Sequence, residues 1–116
     1  METNNPKTSS EILNDAAKLI EKHGWRQKNF GNEVCGFCAF GALAKAAGFD
    51  DADVAHSLRY DDGAFADAYL ALLQNTANIC NGVFRWNDVS GRTKEEVIAK
   101  LKQTALQVNK ETHYGN

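Results

Sequence analysis

The chain has 116 residues, enough for one domain with a substantial core and little room for a second. Hydrophobic residues make up 43% and charged residues 24%, ordinary globular usage that excludes a low-complexity chain. The formal net charge of −2 argues against a generic nucleic-acid binder, whose affinity comes from Lys and Arg set against phosphates, and no apolar run reaches the length of a membrane span.

Residues 1–8 are polar, with no apolar signal core, and are expected to form a loose tail. The three cysteines are an odd number without an export signal, so reduced thiols in a cytoplasm are expected. Thr8-Ser9-Ser10-Glu11 is a capping box, which predicts a first helix over Ser9–His23 that ends at Gly24. Its apolar stripe is Ile12, Leu13, Ala16, Ala17, Leu19 and Ile20, and Trp25 is expected to fold back on the same core.

Gly31-Asn32 is a turn signal in a polar stretch. Val34 to Ala47 is apolar nearly all round, which predicts a central helix covered on most sides, with helices one and five against it. Gly41 inside it costs about 1 kcal/mol of helix propensity. A tight crossing by another element would offset that cost. A short helix is expected from Asp50 to Tyr60, and a fourth from Ala64 to Cys80. Val83, Phe84 and Trp86 read as briefly extended, the place where a short strand pair would fall. Thr93 and Glu96 form a second capping box, opening a fifth helix that ends near Asn109, with 110–116 fraying. The fold class is therefore all-α: a compact bundle of about five helices around a central apolar helix, one domain over 9–109.

Most candidate chemistries fail on their surroundings. Cys35-Gly-Phe-Cys38 has the spacing of a zinc half-site or a dithiol, but no second Cys-x-x-Cys exists and no thioredoxin-like sheet precedes it. Cys38 with His23 or His56 as base and Asn87 as orienter would make a thiol enzyme. Phe37, Ala39 and Phe40 around it promise burial, which opposes thiolate formation. The aspartates at 50, 51, 53, 61 and 62 do not fit a calcium loop, because no Gly stands at its sixth position. No catalytic residue, metal or cofactor is expected.

The stretch from Arg85 to Val97 carries the most unusual combination. Asn87, Asp88, Ser90 and Gly91 are turn formers, and Trp86 should plug the core just before them. The motif reads either as a rigid elbow or as a ligand site formed by Trp25, Trp86, Asn87, Asp88 and Arg92. In the second case Arg92 would grip a small anionic ligand while Trp86 stacks on a ring.

Gly24-Trp25, Cys38-Ala-Phe-Gly41-Ala42-Leu43 and Trp86-Asn87-Asp88-x-x-Gly91-Arg92-Thr93 together resemble a family of small uncharacterised bacterial and bacteriophage proteins, a domain of unknown function. The resemblance implies a phage-borne accessory protein. It leads to the expectation of a non-enzymatic protein in the host cell cytoplasm that binds and inhibits a bacterial host defence protein. Asp50, Asp51, Asp61 and Asp62 would dock on a basic, nucleic-acid-handling surface. The alternatives are a binder that sequesters a nucleotide-type signal near Trp86 and Arg92, and a thiol enzyme using Cys38.

Overall fold

Thr8 opens the first helix with reciprocal bonds. Its hydroxyl accepts the Glu11 N–H at 3.1 Å, and the Glu11 carboxylate accepts the Thr8 N–H at 2.8 Å. The computed structural model of the chain describes residues 7–50, 63–76 and 82–114. Helix α1 spans Ser9–His23, with the bounds expected, and its buried face is Ile12, Leu13, Ala16, Ala17 and Ile20. Strands β1 (Gly31–Asn32) and β2 (Gly36–Phe37) pair antiparallel, Gly31 opposite Phe37. Helix α2 spans Ala39–Ala46, α3 Ala64–Thr76, α4 Gly82–Asp88 and α5 Lys94–Tyr114. The described residues thus form five helices and one short hairpin, the expected all-α class.

Two segments differ from expectation. The helix expected from Val34 starts only at Ala39, because residues 31–37 fold as a hairpin. Asn32 Oδ1 accepts the N–H groups of Val34 and Cys35 at 2.9 and 3.0 Å, which closes the turn. Val34 consequently stands 93% exposed instead of facing a core. Gly36 sits at φ 91°, and a Cβ there would come within 2.8 Å of the Gly24 carbonyl oxygen. Only glycine lets the two backbones pass that closely.

The strand expected near Val83–Trp86 is instead the helix α4. Helical spacing buries Val83 and Asn87, four apart, on one side and leaves Phe84 and Arg85 outside. An extended chain would place Arg85 on the buried side with them.

The core gathers on α1. Helix α5 lies along it, with Ser10 Oγ donating to the Ala105 carbonyl at 3.2 Å and Lys102 paired to Glu21 at 3.0 Å. The short α2 is buried on nearly all sides, as expected, but its main neighbours are α1, α3 and α4. The long face of α5 packs on α1 and α3 instead, because α4 and the hairpin already occupy the start of α2. The expected close crossing at Gly41 is present: a Cβ there would collide with the Phe30 carbonyl oxygen.

Apart from Asp50, the expected helix over 50–60 lies outside the described residues, as does the end of the fourth helix at 77–80. None of the described helices is long and apolar enough to cross a membrane.

Candidate functional site

Helix α2 begins without Ser, Thr, Asp or Asn at its cap. Cys38 holds that position, and its Sγ accepts the Gly41 N–H at 3.3 Å. Sulfur is a weak acceptor. The remaining demand at this helix start is met from 48 residues away, where Asn87 Oδ1 accepts the Ala39 N–H at 2.9 Å.

Asn87 is 1% exposed, and all four of its side-chain bonds are internal. Its Oδ1 also accepts the Trp25 indole N–H at 2.7 Å. Its Nδ2 donates to the Arg26 carbonyl at 3.1 Å and to Asp88 Oδ1 at 3.0 Å. A buried amide with every donor and acceptor satisfied rigidifies what it touches. Here it joins the Trp25–Arg26 segment, the start of α2 and the end of α4. The Gln27 amide extends the seam, donating to the carbonyls of Asn87 and Val89 at 3.1 and 3.0 Å.

Arg92 is turned onto its own elbow. Its Nε donates to the Trp86 carbonyl at 2.9 Å, and the guanidinium carbon lies 4.3 Å from the centre of the Trp86 ring. A 3.7 Å approach to Glu96 ties it to the first turn of α5. Trp25, Trp86, Asn87, Asp88 and Arg92 are therefore brought together, an arrangement common to the elbow and the ligand-site expectations. The polar atoms of Asn87 are engaged by Trp25, Arg26, Ala39 and Asp88, and the Nε of Arg92 by the Trp86 carbonyl.

Beside this seam lies a cleft of about 250 Å³, lined by Lys28, Asn29, Phe30, Cys38, Phe84 and Asp88. The rings of Phe30 and Phe84 stand 5.7 Å apart at 58°, and both back onto Phe40. Phe84 remains 37% exposed, and neighbouring Val89 42%. Lys28 adopts φ 78°, the left-handed region that costs a side chain about 1–2 kcal/mol. The bond that holds it there runs from the Lys28 N–H to Asp88 Oδ1, 2.9 Å.

Cys38 forms the inner end of the cleft. Burial pushes its thiol up to about 11, and the Asp88 carboxylate adds to that rise against backbone N–H groups that lower it. A thiol held protonated at neutral pH is a poor nucleophile. Cys35 stands exposed on the hairpin turn, its sulfur 2.8 Å from Arg26 Nη1, so the two cysteines of the Cys-x-x-Cys occupy different environments. Among the described residues no three metal-ligating side chains cluster.

The model of the Family of unknown function (DUF6197) matches residues 4–107. The chain belongs to DUF6197. No curated protein and no solved structure matches it.

In this DUF6197 member, Asp50 is exposed at the end of the α2 loop, while Asp51, Asp61 and Asp62 lie outside the described residues. His56 and Cys80 lie outside them too. His23 bonds the Glu33 carbonyl through Nδ1 at 3.1 Å and meets the Phe37 ring edge-on. Sequence reasoning missed Lys28, Phe30 and Phe84 as neighbours of Asp88. The available signal was Phe30, the single apolar residue in an otherwise polar loop.

Proposed function

We propose that this protein acts by binding a protein partner, without catalysis, and that the partner is a bacterial host protein it inhibits in the cytoplasm of a phage-infected cell. The observation that carries the reading is the cleft at Phe30 and Phe84. It sets two aromatic rings beside the Asp88 carboxylate, opens to solvent, and is built on a seam whose hydrogen bonds hold it in shape. Small-molecule pockets run about 300–1,000 Å³. A cleft of about 250 Å³ suits one anchoring side chain of a protein better than a nucleotide.

Two further observations support it. The Cys38 thiol is held protonated and Asn87 has no bond to spare, which disfavours the thiol-enzyme alternative. The aspartate-rich run from Asp50 to Asp62 supplies negative charge for steering toward a basic, nucleic-acid-handling surface. The phage setting draws its support from the sequence resemblance. The nucleotide-sequestering alternative loses support because Arg92 is engaged with Trp86.

The test is affinity capture from bacterial lysate, followed by reconstitution of a stoichiometric complex from purified components and an assay of the captured protein's own activity. Charge reversal at Asp50, Asp51, Asp61 and Asp62 should slow association and leave the fold intact. Failure to reconstitute any complex, together with a turnover abolished by Cys38→Ser, would replace this reading with the enzyme one.

A further inference from the structure

We infer that the cleft between the Lys28–Phe30 loop and α4 seats the guanidinium of an arginine presented by the protein partner. The inference deepens the binding reading above and rests on it. Two aromatic faces and one fixed carboxylate converge there, which is the chemistry that recognises a planar cation. Phe30 and Phe84 supply tilted rings 5.7 Å apart, and both are braced by Phe40.

Asp88 supplies the charge. Its Oδ1 accepts from the Lys28 N–H and from Asn87 Nδ2, so the carboxylate cannot swing away. Among the described residues Oδ2 forms no hydrogen bond, which leaves lone pairs for an incoming N–H. The Asp88 carboxylate belongs to the lining of the cleft, together with Cys38. A volume of about 250 Å³ admits one long side chain.

Among the described residues of the lining the resident cation is Lys28, which is exposed. Its positive charge at the cleft opposes the arrival of a guanidinium. Lys28 and Asp88 therefore have opposite effects on binding, a pattern that a purely structural role for Asp88 does not produce.

The probes are the N-acetyl methylamides of arginine, citrulline and leucine, titrated into the full chain while backbone amide NMR shifts are followed. The arginine probe should saturate and shift Lys28, Asn29, Phe30 and Phe84. The neutral citrulline probe should bind about tenfold more weakly or worse, because a charge-assisted bond is lost. Asp88→Asn keeps the Oδ1 acceptor for Lys28 and Asn87 and should weaken the arginine probe by a similar factor. Lys28→Gln should strengthen it a few-fold, and added salt should weaken it.

Equal binding of citrulline, tighter binding of leucine, or absence of shifts at the cleft would overturn the inference. Should the partner reconstituted above bind Asp88→Asn and Lys28→Gln as it binds the unaltered chain, the binding reading stands and the arginine seat falls. If no partner is found while the arginine probe still behaves as described, the seat stands and the choice of a protein partner falls.

Discussion

Helices α1 and α5 start in one way and α2 in another. Thr8 with Glu11, and Thr93 with Glu96, close their own helix ends within four residues, each with an N–H to hydroxyl bond of 3.1 Å and a reciprocal carboxylate bond. Helix α2 has only a thiol of its own and takes its strongest acceptor from Asn87. A local cap stabilises one turn. A remote cap makes the helix start conditional on the whole tertiary arrangement, so the same class of hydrogen bond carries far more of the fold.

The sharpest way to break this comparison is Asn87→Ala. It leaves the Trp25 indole N–H, the Ala39 N–H and the Arg26 carbonyl without partners in a buried site. A fully buried orphan costs about 1–3 kcal/mol, and two of these three are only part-buried, so a loss of about 3–5 kcal/mol is expected. Urea unfolding followed by fluorescence of the two tryptophans measures it. A loss of only about 1 kcal/mol would make Asn87 an ordinary cap and dissolve the distinction.

Alkali should expose the same weak point more gently. The Cys38 thiol ionises near 9.0 when unfolded and near 11 when folded. The unfolded chain thus sheds this proton first, and stability falls as pH rises from about 9 to about 11, with no effect below that window. Two pH units correspond to about 2–3 kcal/mol. Cys38→Ser should cap α2 at least as well and lose this part of the alkaline decline relative to the unaltered chain.

Gly41→Ala tests whether the α2 start tolerates any other path for the Phe30 backbone. Helix propensity gains about 1 kcal/mol, while the collision with the Phe30 carbonyl costs more, for a net loss of about 1–3 kcal/mol. A gain in thermal midpoint would show that the crossing is loose. Last come Thr8→Ala and Thr93→Ala, each expected to cost about 1 kcal/mol and to speed hydrogen exchange only in the first turn of its helix.

The same contrast explains what could be read from the sequence. The bounds of α1 and the starts of α3 and α5 were legible because caps, glycine stop and apolar stripe lie within a few positions of one another. The buried faces of α3 and α5 followed from helical spacing, Phe65, Ala68 and Leu72 in one and Val97, Leu101 and Ala105 in the other. The hairpin was not legible as a hairpin, since Gly36 needs Gly24 as its neighbour, twelve residues earlier. Asn32 held the missed clue, a side chain able to satisfy two successive N–H groups.

Asn87 was read as a turn former that bonds nearby backbone. Apart from Asp88, its side-chain partners lie 48 to 62 residues away. The clue to it was a negative one at the other end: an apolar helix opening on cysteine must find its acceptor elsewhere. The turn chemistry of Trp86–Arg92 is legible in the sequence as either an elbow or a ligand site, but the cleft is not, because Lys28, Phe30 and Phe84 come together only in the folded chain.

The reach of the Asn87 bonds also sets an order on synthesis. The Trp25 indole leaves the ribosome 62 residues before its acceptor. At about 5–20 residues per second, that is a wait of roughly 3–12 seconds. Throughout it α1 can be whole, while Phe40, 3% exposed in the finished molecule, has no Phe84 to close over it. A nascent chain paused before Gly82 therefore leaves apolar surface uncovered until the asparagine arrives.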